Sequence, residues 1–131
     1  MKRVTGIGGI FFKSKDPKAT YEWYSKHLGV ELMPDGSSGI FKWRRPDNPE
    51  GKGMTVWAAF PENTKYFGTG PQTFMMNYRV DDLDAVLEAL QAEGVQIDPK
   101  REDYDYGKFA WIIDPDGNRI ELWQPKDDEW P

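Results

Sequence analysis

The chain of 131 residues contains no cysteine. That excludes disulfides, thiolate nucleophiles and zinc-thiolate sites together. It has a single histidine, His27, so no Ser-His-Asp arrangement can be built away from that residue. No apolar stretch approaches membrane-spanning length, and Met1-Lys2-Arg3-Val4 lead into a strand-like run with no hydrophobic leader region. Lys and Arg do not cluster and the net charge is −5, which disfavours nucleic acid and anionic membranes as partners. The acidic segment Asp127 to Glu129 reads as solvated tail, and the chain as a soluble cytoplasmic protein. Gly6, Gly8 and Gly9 lack the third glycine and the following helix of a dinucleotide-binding fingerprint. They mark a bend or a close backbone approach instead.

Aromatic residues, by contrast, are abundant, at 15% of the chain with six tryptophans. That exceeds the needs of one core, so some rings are expected to line a cavity or an interface. At this length a single domain, 1–131, is the expectation, burying roughly two-thirds of its unfolded surface.

The chain also repeats itself. Phe11 to Leu32 (FFKSKDPKATYEWYSKHLGVEL) and Met76 to Ile97 (MNYRVDDLDAVLEALQAEGVQI) each give an apolar run, an acidic turn, an amphipathic helix, Gly-Val and a second apolar stretch. Asp16 precedes Gly29 by thirteen residues and Asp81 precedes Gly94 by thirteen, an offset of 65. A unit repeated once implies two facing modules.

In the first module a strand is expected over Gly6 to Lys13. A helix follows, with Asp16 as N-cap, Pro17 at its first position, Gly29 ending it, and Tyr21, Tyr24 and Leu28 as its buried stripe. Three more strands are expected at Val30 to Met33, Gly39 to Trp43 and Met54 to Phe60, with a loop from Arg45 to Gly53. Module one therefore covers 1–60, and Pro61 to Pro71, rich in Pro, Gly and Thr, is the linker. Module two, 72–131, starts with a strand at Thr73 to Val80 and a helix from about Asp82 to Glu93 with Leu83, Val86, Leu87 and Leu90 on one face. It continues with a short strand at Val95 to Ile97. Two last strands, Lys108 to Ile113 and Arg119 to Gln124, flank the turn Asp114-Pro115-Asp116-Gly117. The fold class is α+β, two tandem βαβββ modules. Alternation along the last strand points Arg119, Glu121 and Trp123 one way, with Ile120 and Leu122 toward the helix-packed core.

A tandem βαβββ pair ending in DPDGNRIEL, with KATYEWYSKHLGVEL after the first strand, resembles the vicinal oxygen chelate superfamily, which includes glyoxalase I, bleomycin-resistance proteins and extradiol dioxygenases. The likeness covers essentially the whole chain. It implies an open, incomplete barrel whose sheets curl around a shared cleft, and in metal-dependent members four ligands, one on each of four strands. The ligand four residues after the turn glycine is a Glu, matched by Glu121. The one seven residues before the Asp that opens helix 1 falls on Gly9. The corresponding strand of the second module offers Met75, or Phe74 with the register slipped by one, and the remaining position falls near Trp57. Gly, Met and Trp supply no hard or borderline donors, and one carboxylate does not hold a divalent cation usefully. No metal and no other cofactor is expected.

In the family register, Phe11, Thr55, Trp57, Met75, Asn77, Arg79 and Trp111 share the cavity with Glu121 and Trp123. Trp57, Trp111 and Met75 either offer a stacking surface or fill the space. Asn77 and Arg79 either orient a ligand or, for Arg79, serve in an ordinary strand salt bridge. Glu121 has three readings: a general base or acid with its pKa raised by burial, a charged partner for a cationic ligand, or a remnant neutralised by Arg79 or another cation. Tyr104 and Tyr106, between Glu102 and Lys108, stand on a lid loop, an acidic connection or a dimer contact. His27 is expected to face solvent near the helix's negative end. Trp23, Trp43 and Trp130 are assigned to packing or an interface.

Two functions follow from the resemblance. One is a protein of the bleomycin-resistance type that binds a small aromatic or cationic molecule in a tryptophan-lined cavity without the usual metal. The other is a metal-independent, or atypical-metal, glyoxalase-like lyase or isomerase using Glu121 as general base on a small oxo-compound. Many relatives dimerise, and a homodimer is expected here.

Overall fold

The computed structural model describes residues 3–126 together with 130 and 131, so the acidic segment Asp127 to Glu129 lies outside the described residues. The elements run β1 (Val4–Ser14), α1 (Pro17–Leu28), β2 (Gly39–Arg45), β3 (Asn48–Pro61), β4 (Phe74–Val80), α2 (Leu83–Ala92), β5 (Ile97–Tyr104), β6 (Gly107–Ile113) and β7 (Arg119–Pro125). This is an α+β fold with one open seven-stranded sheet, in the order β2-β3-β1-β4-β7-β6-β5. Among the described residues no helix is long and apolar enough to cross a membrane.

The sheet is joined at its middle by the antiparallel pair β1 and β4. On either side the same pairing occurs: β1 runs parallel to β3 and β4 parallel to β7, while β3 and β7 each form an antiparallel hairpin with the preceding strand. Each half also carries one helix, capped by local chemistry. Asp16 accepts the Ala19 N–H at 3.1 Å, and Gly29 closes α1 in the left-handed region at φ 67°. Asp82 accepts the Ala85 N–H at 3.0 Å, so the cap of α2 falls one residue beyond Asp81. A side-chain oxygen at each cap takes up an N–H that the helix cannot satisfy itself.

Several expected elements differ. Val30 to Met33 forms only an isolated bridge, Leu32 to Gly39, because the chain turns back over residues 34–38 and meets the free edge of β2 only at its first residues, with Ile40 N–H donating to the Glu31 carbonyl at 2.9 Å. The expected Arg45 to Gly53 loop is instead mostly strand, with β2 and β3 meeting at the tight turn over Pro46 and Asp47. Pro49 is tolerated there because β3 meets β1 only from Val56 onward, leaving one edge of its first half free of ladder bonds. The strand expected at Val95 to Ile97 begins instead at Ile97 and runs through Glu102 as far as Tyr104, followed by a two-residue turn at Asp105 and Tyr106 rather than a lid loop. The α1 stripe is also shorter than expected: Tyr21 is buried and Tyr24 packs on Trp57, whereas Leu28 is exposed.

The two faces of the sheet hold separate apolar clusters. Val80, Leu83, Val86, Ala110 and Leu122 pack beneath α2, joined by Ile120. Phe11, Phe67, Met75 and Trp111 form a second cluster with Val56, Phe60, Tyr66 and Phe109 around it. The 119–125 alternation explains the division, since Leu122 enters the first cluster while Glu121 borders the second.

Candidate functional site

One row crosses the sheet through Val56, Gly9, Asn77, Glu121 and Trp111, each paired in register with the next. Glu121 therefore sits at the heart of the molecule, 1% exposed. Its carboxylate receives three hydrogen bonds from neutral donors. Asn77 Nδ2 donates to Oε1 at 2.6 Å, and Trp111 Nε1 donates to Oε2 at 3.0 Å. The third donor is the Tyr66 hydroxyl, also to Oε2. Burial raises the Glu121 pKa above its ordinary value, the three donors oppose that rise, and the charge of Glu102 adds to it. The Tyr66 hydroxyl is pushed up as well, chiefly by burial and then by the neighbouring Glu121 charge.

Above this group opens a cleft of about 240 Å³ lined by Gly8, Phe11, Val56, Phe60, Tyr66, Asn77, Tyr106, Phe109, Glu121 and Trp123. Its walls are rings packed in pairs. Phe60 and Tyr66 stack at 5.3 Å, and Phe109 and Trp123 at 6.1 Å. Glycine at position 8 lets the lining side chains close in, because a Cβ there would lie 2.3 Å from Asn77 Oδ1 and push it away. The Ile7 to Gly9 register shift in β1 brings that backbone inward. Two buried polar atoms of cleft-lining residues have no partner: Asn77 Oδ1, beside Gly8, and Trp123 Nε1, beside Gly107.

Of the residues assigned to the site, Phe11, Asn77, Tyr106, Glu121 and Trp123 line the cleft. Trp57 does not. It packs beneath α1 against Phe12, Tyr21 and Tyr24, and its neighbour Val56 faces the cleft, because a shift of one along a strand exchanges the faces. Met75 and Trp111 lie behind the wall, 1% and 0% exposed, as packing rather than as a stacking surface. The slipped alternative Phe74 is exposed. Arg79 is buried with its guanidinium 5.2 Å from the Trp43 ring and 5.8 Å from the Trp123 ring, outside the lining. Only one tryptophan, Trp123, remains in the lining, so the cavity is walled mainly by phenylalanine and tyrosine. Thr55 bonds Trp43 Nε1 and the Ile7 carbonyl. His27 is exposed beside Trp23.

Tyr66 escaped sequence reasoning. It lies in the connection between β3 and β4, a segment legible as linker, and fifty-five positions separate it from Glu121. The one available signal was the adjacent pair Tyr66-Phe67 in otherwise Pro-, Gly- and Thr-rich sequence. Phe67 is 1% exposed and anchors the connection.

Among the described residues no three His, Asp or Glu side chains gather as a metal ion would need. In the row Gly9 and Val56 carry no side-chain donor atom, Asn77 has one oxygen without a partner, and the oxygens of Glu121 are taken up by N–H and O–H groups. That donor set does not fit a divalent cation.

Comparison with known proteins gives a consistent result. A family model described as Glyoxalase/Bleomycin resistance protein/Dioxygenase superfamily matches residues 6–122. Among solved structures, methylmalonyl-CoA epimerase from Mycobacterium tuberculosis superposes with a TM-score of 0.64 at 23% identity, covering 95% of this chain and 91% of that one. A methylmalonyl-CoA epimerase in complex with methylmalonyl-CoA and NH4+ gives 0.68 at 17% identity, covering 98% and 99%. A single-substitution variant of the Streptomyces coelicolor methylmalonyl-CoA epimerase, in complex with 2-nitronate-propionyl-CoA, gives 0.68 at 18%, with the same coverage. At these identities the likeness carries the fold.

Proposed function

The chain belongs to the glyoxalase/bleomycin resistance protein/dioxygenase superfamily, and on that premise we propose that it binds a small aromatic or cationic molecule in the cleft above Glu121, without the divalent metal usual in that group. The single observation that carries this reading is a ring-walled opening that ends on a buried carboxylate held by three neutral donors. Convergent polar groups at the base of an apolar pocket are the usual form of a small-molecule site. The volume, about 240 Å³, is below the roughly 300 Å³ at which drug-sized pockets begin, so the ligand is small.

In this reading the whole chain is one domain. Module one, 1–60, and module two, 72–131, enclose the shared cleft, and the connection 61–71 delivers Tyr66 to its floor. The lining supports it, since Phe11 and Phe60 come from one half and Asn77, Phe109, Glu121 and Trp123 from the other. A homodimer belongs to the same proposal, supported by the exposed Trp23, Phe41 and Phe74 and tested by light scattering.

A second reading, a metal-independent lyase or isomerase, is favoured by one observation: burial raises the Glu121 carboxyl above its ordinary pKa, which makes it a stronger base than an exposed carboxylate. Titration of the purified protein with planar aromatics, organic ammonium ions and small oxo-compounds, followed by the Trp123 indole N–H resonance, tests both. Saturable shifts confined to cleft residues are expected, with no stoichiometric zinc, nickel or iron on metal analysis. A panel without any binding, or a tightly held metal, overturns the proposal. Turnover abolished in Glu121→Gln with affinity spared establishes the enzyme instead.

A further inference from the structure

We propose that the cleft selects a fully alkylated ammonium group, a cation with no N–H to donate; this deepens, and rests on, the reading of the cleft as a ligand site. Six rings meet there from six parts of the fold: Phe11 on β1, Phe60 on β3, Tyr66 on the connection, Tyr106 on the β5–β6 turn, Phe109 on β6 and Trp123 on β7. The faces of such rings are electron-rich and attract a cation, most strongly where water is excluded. Below them stands a carboxylate whose field crosses a low-dielectric interior. The charge of Glu102 also reaches Glu121 and Tyr66, but it is paired with Lys100 at 3.1 Å, so the carboxylate of Glu121 is the main negative group at the cleft.

The state of Glu121 decides which cation is taken. At 1% exposure, with three donors already on its oxygens, it presents almost no acceptor surface to an incoming group, and Asn77, whose Oδ1 has no partner, is buried as deeply, at 1%. A primary ammonium carries three N–H groups, and stripping their water without supplying acceptors is costly. A quaternary ammonium has no N–H to satisfy, so it takes the field of the carboxylate and the ring faces without that penalty. Arg79, 5.8 Å from the Trp123 ring, and Lys100 and Arg119, 5.2 and 5.1 Å from the Trp111 ring, are opposing charges; all three lie outside the lining, whereas the carboxylate lies within it.

The test uses the full chain with four probes: choline, its neutral carbon isostere 3,3-dimethylbutan-1-ol, ethanolamine and indole, titrated by calorimetry and by cleft resonances. Choline is expected to bind several- to thirtyfold more tightly than the neutral isostere and than ethanolamine. Glu121→Gln is expected to remove the preference for choline over the isostere. Should that variant fail to fold, Phe109→Leu, which keeps apolar bulk but removes one π face, is expected to weaken choline more than it weakens the isostere, and an equal loss for both overturns the inference. Equal binding of choline and the isostere, or tighter ethanolamine, overturns the inference. Indole bound without choline overturns it too while leaving the ligand-site reading intact, whereas silence from all four probes overturns both.

Discussion

Asn77 and Glu121 are register partners on the parallel strands β4 and β7, and Nδ2 of the first donates to Oε1 of the second at 2.6 Å. The bond ties two neighbouring strands of the second half together at the floor of the cleft. Trp111, paired with Glu121 on its other side, completes a polar line across an otherwise apolar layer. A buried carboxylate is tolerated only when its hydrogen-bonding capacity is met, and here three of roughly four acceptor sites are filled.

Replacing Asn77 with Leu keeps the volume and strips one of those donors. The expected cost is about 1–3 kcal/mol, because a buried group loses its partner. Urea denaturation measures it; an unchanged midpoint would show that the bond contributes nothing net.

Burial raises the Glu121 carboxyl above its ordinary 4.5, so the native state keeps this proton to higher pH than the unfolded chain does. Its contribution to stability is therefore full below pH 4.5 and declines as pH rises through the native value. Glu121→Gln lacks this titration. Comparing the two proteins in urea across a pH series, the stability of the wild type relative to the variant should fall as pH increases; a constant difference contradicts the assignment.

Gly8→Ala places a methyl 2.3 Å from Asn77 Oδ1 and 2.9 Å from the Trp123 ring. Both must move, at a cost of about 1–3 kcal/mol for overpacking. A lowered Tm together with a shifted Trp123 indole resonance is expected. Retention of both wild-type values would place Asn77 elsewhere.

Tyr66→Phe preserves the ring stacked on Phe60 and edge-on to Trp111 while deleting the hydroxyl that reaches Glu121. Loss of a hydrogen bond to a charged group predicts about 1.5–3 kcal/mol less stability. Ligand affinity should change little by comparison, which calorimetry on the folded variant checks.

Tyr106 offers the reverse case. It is 65% exposed at the cleft, so Tyr106→Ala should alter stability by no more than about 0.5 kcal/mol. Ligand affinity should nevertheless drop. Equal affinity in the variant removes Tyr106 from the binding wall.

The sequence by itself determined the parts whose causes are local. Asp16 and Gly29 bound one helix and Asp82 and Gly94 the other, because caps act within a turn of the chain. The Asp114 to Gly117 turn is equally local: Asp114 Oδ1 accepts the Asn118 N–H at 2.8 Å, and Gly117 adopts φ 84°. From there, period-two alternation sends Leu122 to the helix side and Glu121 to the other. Only the tertiary structure decided what surrounds Glu121. Whether Trp57 or Val56 faces the cleft depends on strand register, which a one-residue shift inverts. Met75 and Trp111 became packing because Phe67 closes over them, and Tyr66 reached the carboxylate because the connection folds back across the sheet. Neither the register nor the landing of a connection is encoded within a few residues of the groups it brings together, so both emerge only when distant segments pack.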